Sequence, residues 1–282
     1  LQEKMISRLA DQIAENPKYK VILIAGPSSS GKTTTSKRLS VQLMACGKRP
    51  VPISMDDYFV DREKTPLDEN GDYDFESVYA MNIPLFTEQM NALIKGESVE
   101  LPRYNFQTGK SEMSGNVIHP TPQTIFILEG IHALNPRLTD QVPESSKYRI
   151  FINTITSISL DDHNCIPTSD NRLIRRIVRD YTKGAFTARE SIMHWPNVRR
   201  SEVQWIYPYQ ECADVLFNCS YIVEFPVIRA RAERILMTVP KNCPEYAEVH
   251  RLMKFLSYFT PVPENDVPAT SLLRSFIGGS SL

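Results

Sequence analysis

Short apolar runs alternate along this chain with longer segments whose apolar residues recur every three or four positions. Runs rich in β-branched residues predict five strands, at residues 21–24, 51–53, 124–128, 149–152 and 221–223. Near-continuous apolar strands separated by helical segments are typical of a parallel sheet with helices on both faces. The pattern therefore predicts an α/β fold.

Helical periodicity appears before, between and after these runs. One helix is predicted within residues 1–18, another from about residue 32 to just before Gly47, and a third over residues 84–95, ending at Gly96. A glycine directly after the last periodic residue is a common helix stop. Helical patterns at 227–237, 246–259 and 270–277 predict a helical C-terminal extension, residues 226–282.

Residues 58–122 contain many Pro, Gly, Asn and Asp residues around the third helix. Loops of this length inside a compact domain are usually functional. We therefore expect an excursion from the sheet that binds substrate.

Composition excludes several classes of protein. The 282 residues are 41% hydrophobic, and 32 Lys and Arg balance 33 Asp and Glu, for a net charge of −1. This balance does not fit a protein that coats nucleic acid or an anionic membrane. No apolar run approaches the roughly 20 residues that span a bilayer. Five cysteines without a C-x-x-C pair fit a reducing cytoplasm.

A phosphate-binding motif lies between the first strand and the helix that follows it. Eight consecutive residues fit G-x-x-x-x-G-K-[ST]: Gly26, Pro27, Ser28, Ser29, Ser30, Gly31, Lys32 and Thr33. In such a loop the backbone N–H groups and the helix N-terminus face the phosphates. The motif predicts an ATP site that also includes Thr34, with Lys32 at the β- and γ-phosphates and the Thr33 hydroxyl on Mg²⁺.

Two carboxylates follow later strands. Asp56 comes just after the second predicted strand and Glu129 ends the third. Ligands of open α/β sheets collect at the carboxyl ends of the strands, and phosphoryl transfer to an alcohol needs a proton acceptor and a metal-side oxygen. We expect Asp56 to be the base and Glu129 to face the metal, whereas Asp57 fits a turn or helix cap better.

A cluster of arginines marks the segment 165–200 as a candidate lid. Residues 171–200 contain eight basic and two acidic residues, and the cluster itself comprises Arg172, Arg175, Arg176 and Arg179. Guanidinium groups on one helix face can neutralise transferring phosphates. The alternative is a solvated basic face, which is the usual fate of a charge run. We favour a lid over a solvated face.

These motifs, in this order, resemble the uridine kinase and phosphoribulokinase family of P-loop kinases. The resemblance covers about residues 20–224, predicting a P-loop NTPase fold with a kinase domain at 19–225. It is carried by the phosphate loop with five further segments, at residues 54–56, 72–75, 102–106, 129–131 and 170–180. A bacterial uridine-kinase-like nucleoside kinase branch is the nearest match, on residues 160–164, 206–211 and 276–279.

The resemblance implies roles for individual residues. Asp56 would accept the proton of a ribose 5′-hydroxyl, Asp74 would bind ribose hydroxyls, and Tyr104 would contact the pyrimidine, unless it is a plain core aromatic. Arg172 would face the nucleoside, and Arg179 would also lie in the substrate site. Arg175 and Arg176 would approach the ATP phosphates. The implied reaction is ATP- and Mg²⁺-dependent phosphorylation of uridine or cytidine, a step of nucleotide salvage.

Two departures from the family pattern leave alternatives open. Uridine-cytidine kinases have a base-reading His shortly after the position of Phe106, where this chain has residues 107–110, Gln-Thr-Gly-Lys. Pantothenate, ribulose 5-phosphate or another polyol therefore remain candidate acceptors, and an ATP-sensing regulatory module is the alternative without turnover. The C-terminal helices fit either a homo-oligomer contact or packing on the kinase core.

The other departure is the helical C-terminus after Phe225, which the small uridine kinases lack. Members of the matching branch begin with a module similar to that of threonyl-tRNA synthetases, and Leu1 stands where a Met would open a chain. We therefore expect residues 1–18 to be what remains of a trimmed upstream module.

Overall fold

Strands and helices alternate through most of the chain, as the apolar pattern predicts. The computed structural model describes residues 2–69, 71–156, 162 and 165–281. Its helices and strands follow in the order α1 (Gln2–Glu15), β1 (Val21–Ala25), α2 (Lys32–Ala45), β2 (Arg49–Ser54), α3 (Ile83–Lys95), β3 (Val99–Asn105), β4 (Lys110–Ile118), β5 (Thr124–Glu129), α4 (Pro136–Thr139), β6 (Lys147–Asn153), α5 (Thr168–Thr182), α6 (Ala188–Trp205), β7 (Val215–Asn218), α7 (Glu224–Leu236), α8 (Tyr246–Leu256) and α9 (Arg274–Ile277).

The main sheet has the strand order β2-β5-β1-β6-β7. Parallel pairing joins β2 to β5, β5 to β1 and β1 to β6. All residues of β1 and β5 are buried, which explains their uninterrupted apolar sequence. The register pairs Glu129 with Ser54 on one side and with Ile24 on the other. The predicted α/β fold, a parallel sheet flanked by helices, is confirmed.

The prediction of a strand at residues 221–223 is wrong. The last strand is β7, and residues 221–223 form a turn that leads into α7, whose first bonds run from Glu224 N to Tyr221 O (3.2 Å) and from Val227 N to Val223 O (3.1 Å). Ile222 and Val223 are exposed. An apolar run of three residues does not distinguish an exposed turn from a strand, because burial is decided by the rest of the fold.

The segment 58–122, expected to be a long excursion from the sheet, contains regular secondary structure. It contains α3, capped by the Asn82 side chain, which accepts a bond from Leu85 N (3.2 Å), and ended by Gly96 in the left-handed region. It also contains an antiparallel hairpin of β3 and β4. Between these strands Gly109 has φ +70°, and a Cβ there would lie 2.8 Å from Arg62 Cβ, so only glycine fits this position.

The described residues form two compact units. The first comprises the described parts of Leu1–Pro27, Thr35–Ile152 and Ser201–Phe217, and the second those of Ser28–Thr34, Asn153–Arg200 and Asn218–Leu282. This division is not the sequence division at residue 225. Most of the phosphate loop, the arginine helix α5 and the C-terminal helices belong to one unit.

Each unit has its own hydrophobic core. In the first, the main sheet packs with α3 through residues such as Leu23, Leu128 and Phe86. In the second, α5 contributes Leu173 and Ile177 to a core with the C-terminal helices. That core includes three mutually contacting rings, Phe225, Phe255 and Phe259, with centroids 5.0–5.3 Å apart. The helical C-terminal region is thus confirmed.

The ends of the described chain also bear on the predictions. A helix, α1, is present where one was predicted, while the pattern at 270–277 yields only the short α9.

Among the described helices, none combines the length and apolar character needed to cross a bilayer.

Candidate active site

The phosphate loop follows β1 and leads into α2, which begins at Lys32. Gly31 has φ +86°, and Ser29, at φ +62°, is the one non-glycine residue with positive φ in the described chain. Such a conformation costs about 1–3 kcal/mol and persists where surrounding contacts enforce it. The loop is therefore tightly curled and held in place by its neighbours.

Three consecutive loop carbonyls accept hydrogen bonds within the second unit. Arg172 Nη1 donates to Ser28 O (3.2 Å), and Arg175 Nη1 donates to Ser29 O (3.4 Å). The Cys219 thiol donates to Ser30 O (2.7 Å). Arginines predicted from the sequence to serve the site therefore do meet the phosphate loop, but through its carbonyls.

Arg172 and Arg175 are buried, not solvated. Their exposed fractions are 0% and 2%. The Arg172 guanidinium lies 5.4 Å from the centre of the Trp195 ring, a distance at which a cation and a ring face attract. Their placement excludes the solvated basic face as an account of these two arginines.

Arg175 is paired with a glutamate that the sequence analysis did not single out. Its Nε and Nη2 donate to the two carboxylate oxygens of Glu224, the latter at 2.6 Å. Burial opposes the charge, but the adjacent carboxylate outweighs it and raises the pKa of Arg175. Glu224 was missed because residues 221–223 read as a strand, which placed it beyond the site.

Arg176 and Arg179 share a carboxylate on their own helix. Arg176 Nε lies 3.3 Å from Asp180 Oδ2, and Arg179 Nη2 lies 2.9 Å from Asp180 Oδ1. Arg176 also donates from Nη1 to Ser28 Oγ at 3.0 Å. The structure therefore brings Arg176 to the loop and leaves Arg179 beside Asp180. Phosphate contacts of Arg175 and Arg176 and substrate contacts of Arg172 and Arg179 stay predictions.

In the first unit, Asp56 and Glu129 follow neighbouring strands at the same edge of the sheet. Ser54, two residues before Asp56, pairs in register with Glu129. Asp56 is exposed and Glu129 is only 7% exposed. Gly130 lets the chain pass Met55, since a Cβ at Gly130 would lie 2.7 Å from Met55 Cβ. The predicted convergence of the two strand ends is present.

Asp57 has a structural contact. Its Oδ1 accepts a hydrogen bond from Tyr104 N (3.3 Å), which ties the turn after β2 to β3. Burial raises the pKa of Asp57, against the opposing effects of the Tyr104 N–H and the Arg103 charge. This contact fits the turn role that the sequence favoured for Asp57.

Tyr104 belongs to an aromatic cluster with Phe59, Phe75 and Phe106. Its ring centre lies 5.6, 6.3 and 5.0 Å from theirs, respectively. Tyr104 is 3% exposed, whereas Phe106 is largely exposed. Burial raises the pKa of the Tyr104 hydroxyl, opposed by Arg62 beside it. The cluster accommodates both readings of Tyr104, as a core residue and as one wall of a base site.

Asp74 adjoins this cluster. It lies between Tyr73 and Phe75 in the chain, and its Oδ1 accepts a hydrogen bond from Glu76 N (3.1 Å). Because the rings of Phe75 and Tyr104 are 6.3 Å apart, the two residues predicted to bind the nucleoside are in the same part of the first unit.

The predicted Mg²⁺ ligands have suitable chemistry. Thr33 offers a hydroxyl and Glu129 a buried carboxylate, and oxygen is the ligand Mg²⁺ prefers. In the part of the chain that the structure describes, no three His, Cys, Asp or Glu side chains are grouped as a metal site. Magnesium bound with a nucleotide commonly uses one or two protein oxygens plus phosphates and water, so the hydroxyl and the carboxylate each have suitable chemistry, and their joint role stays a prediction.

Part of the branch-specific motif lies outside the described residues. Of residues 160–164, only Asp162 is described, and Leu160, Asp161, His163 and Asn164 are not. The other branch-specific segments are placed. Residues 206–211 run into a 3₁₀ helix, and Phe276 lies in α9.

The fold and the phosphate loop define a P-loop NTPase fold. The sequence model of the phosphoribulokinase / uridine kinase family matches residues 21–224. The chain therefore belongs to the phosphoribulokinase / uridine kinase family.

Two bacterial proteins with similar sequences are both named uridine kinase. A uridine kinase of Halalkalibacterium halodurans is 29% identical over 197 residues, covering 70% of this chain and 84% of that protein. A uridine kinase of Oceanobacillus iheyensis is 27% identical over 220 residues, covering 77% and 95%. These identities support a kinase of this family and leave its acceptor open.

Solved structures support the fold alone. A candidate fructose transport system kinase from Silicibacter sp. TM1040 superposes with a TM-score of 0.50 at 17% identity, covering 71% of this chain and 95% of that one. YFH7 from Saccharomyces cerevisiae, a candidate P-loop kinase with a circular permutation, gives 0.52 at 12% identity and covers 76% and 98%.

Proposed function

We propose that this protein transfers the γ-phosphate of ATP to the 5′-hydroxyl of a pyrimidine nucleoside, uridine or cytidine, with Mg²⁺. The observation that carries the proposal is the phosphate loop in the second unit, surrounded by three arginines, in a chain whose relatives are named uridine kinase. Phosphoryl transfer depends mainly on positioning and on neutralising charge. The product would enter pyrimidine salvage.

Individual residues take separate tasks in this proposal. Lys32 and the loop N–H groups would hold the ATP phosphates. Asp56, exposed after β2, would accept the hydroxyl proton as the new P–O bond forms. Thr33 and Glu129 would hold Mg²⁺, which when bound neutralises charge on the β- and γ-phosphates.

The aromatic cluster supports a nucleoside acceptor. The flat π face of a base stacks on aromatic rings, and Phe106 presents an exposed ring beside Tyr104. Asp74, in the same part of the unit, would bind ribose hydroxyls. An open-chain polyol such as ribulose 5-phosphate has no ring face that would stack on these rings.

Another alcohol acceptor is the second candidate. The hairpin turn after Phe106 lacks the base-reading His, and Asn105 Oδ1 accepts the N–H groups of Gln107 (3.0 Å) and Thr108 (3.2 Å). Base recognition would therefore need other residues. This departure favours testing pantothenate and sugar phosphates beside nucleosides.

A screen of acceptors tests the proposal. ADP release from ATP and Mg²⁺ would be measured with uridine, cytidine, adenosine, pantothenate, ribulose 5-phosphate and glycerate. Uridine or cytidine should stimulate release most, and the product should be the 5′-monophosphate by mass and chromatography. Stimulation only by a non-nucleoside would reassign the acceptor. ATP binding without stimulation by any compound would favour an ATP-sensing module.

A further inference from the structure

The hydrogen bonds to the three loop carbonyls also set the direction of the neighbouring backbone N–H groups. In a trans peptide the C=O of one residue and the N–H of the next lie in one plane and point in opposite directions. Holding the carbonyls of Ser28, Ser29 and Ser30 on one side therefore aims the N–H groups of Ser29, Ser30 and Gly31 to the other side. These N–H groups are the ones that a phosphate loop presents to its ligand.

Arg175 has no donor left for a phosphate. A guanidinium has five N–H donors, and all five are used. Nε and one N–H of Nη2 (2.6 Å) bind the Glu224 carboxylate. The other N–H of Nη2 binds Cys219 O (3.0 Å), and Nη1 binds Ser29 O (3.4 Å) and Cys219 Sγ (3.5 Å).

We propose that Arg175, Glu224 and Cys219 form a positioning network that holds the carbonyl side of the phosphate loop and thereby aims its N–H groups at the nucleotide. Arg175 is then a positioning residue and not a phosphate ligand, unlike the role that the family resemblance implies. The inference rests on the proposed binding of ATP by this loop. It does not depend on which acceptor is used.

Backbone strain at the loop supports the network. Ser29 holds a positive φ of 62°, a conformation that needs enforcement from outside. Its carbonyl is held by Arg175 and that of the next residue by Cys219. The C-terminal region takes part, because the Arg175 guanidinium lies 4.9 Å from the centre of the Phe276 ring in α9.

The protonation states of Cys219 and Arg175 suit their roles as hydrogen-bond donors to the loop. Burial raises the pKa of the Cys219 thiol, although Arg175 beside it acts in the opposite direction. The thiol therefore stays protonated near neutral pH and can donate to Ser30 O. Arg175 stays charged because of the Glu224 carboxylate.

Glu224→Gln distinguishes the two possible roles of Arg175 by its effect on nucleotide affinity. If Arg175 positions the loop, losing the carboxylate loosens it, and the Kd for ADP and the KM for ATP should rise about tenfold. The KM of the acceptor should not change. If Arg175 is a phosphate ligand, weakening its ion pair frees donors, and affinity should stay equal or improve. That result would overturn the proposal.

The matched control is Glu264→Gln. Glu264 forms a two-bond ion pair with Arg231 (2.9 and 2.8 Å) in the same unit, and neither residue is among the donors to the three loop carbonyls. This variant should bind ADP as the wild type does. An equal loss in both variants would show a general effect of losing an ion pair and would overturn the specific role of Glu224.

Cys219 provides a second test that leaves the buried charges paired, in case Glu224→Gln does not fold. Cys219→Ala removes the donor to Ser30 O and should raise the Kd for ADP severalfold, whereas Cys219→Ser keeps an O–H donor and should restore most of the affinity. Equal affinity of all three proteins would overturn the network.

The outcomes separate the two proposals. Wild-type protein that binds ADP but phosphorylates no nucleoside contradicts the proposed acceptor and leaves the network measurable. Variants that bind like wild type contradict the network alone. Wild-type protein that binds neither ADP nor ATP contradicts both.

Discussion

Arg176 Nη1 donates a hydrogen bond to Ser28 Oγ at 3.0 Å. The bond joins the arginine helix to the phosphate loop, two segments about 150 residues apart in the chain. Arg175 has its five donors on protein atoms, whereas Arg176 contacts a side chain of the phosphate loop itself and also Asp180 on its own helix. Of the two adjacent arginines, Arg176 is therefore the better candidate for phosphate contact.

Arg176→Ala should reduce kcat/KM for ATP by about 10²- to 10³-fold, because a cation that stabilises transferring phosphate contributes on the order of 3–4 kcal/mol. Steady-state kinetics with saturating acceptor would measure this. Arg234→Gln is the control, since Arg234 is exposed and, within the described chain, donates to Ala230 O in its own helix turn. Near wild-type kcat/KM for Arg176→Ala would exclude it from the reaction.

Asp56→Asn should lower kcat by about 10²- to 10⁴-fold with little change in the Kd for ATP, since a general base contributes this much and does not hold the nucleotide. The neighbour Asp57 is the matched control. Asp57→Asn keeps an oxygen that can accept the Tyr104 N–H and should retain most of the turnover. If the two variants lose activity equally, the assignment of Asp56 as the base is incorrect.

Asp57→Asn should also change stability in a pH-dependent way. Burial raises the pKa of Asp57, so the folded state binds this proton more tightly than the unfolded state. The group therefore costs stability as pH rises through its folded pKa, and costs none below the unfolded pKa. Removing the charge should raise the Tm relative to wild type at pH 8 but not at pH 3, which lies below the ordinary pKa of an Asp. Thermal melts at both pH values would test this. An equal Tm difference at the two pH values would contradict the raised pKa of Asp57.

Gly130→Ala should destabilise the first unit by about 1–3 kcal/mol, the range for inserting an atom into a packed interior. The new Cβ would lie 2.7 Å from Met55 Cβ, and rotating the Met55 side chain about χ1 does not move its Cβ, so the backbone must shift. Thermal or urea unfolding would measure the loss. Turnover should also fall, since Gly130 follows Glu129 directly.

Gly47→Ala serves as the comparison for Gly130→Ala. Gly47 has φ +75° with nothing within 4 Å of an added Cβ, so the cost there is backbone strain alone, about 1 kcal/mol. A loss for Gly130→Ala no larger than that for Gly47→Ala would show that Met55 moves aside easily.

Much of the architecture could be predicted because it depends on local pattern. The buried strands β1 and β5 read as continuous apolar runs, since both faces are covered. The phosphate loop was identifiable because a curled backbone needs glycine and a helix start at set positions. Asp56 and Glu129 could be placed at one edge since parallel strands end together.

The last strand and the hairpin were harder to predict. Three apolar residues at 221–223 looked like a strand, but they are an exposed turn. The hairpin β3/β4 was hidden in a segment rich in turn residues, because β4 is mostly exposed and an exposed strand does not show the apolar alternation of a half-buried one.

By itself, then, the sequence determined the α/β class, the phosphate loop, the strand-end carboxylates and the positions of the arginines, since each follows from local spacing or residue type. The tertiary structure alone decided what those arginines touch. Arg175 and Glu224 lie 49 residues apart, and no local spacing relates them. Their pairing exists because the second unit buries both side chains, and a buried charge must find an opposite one.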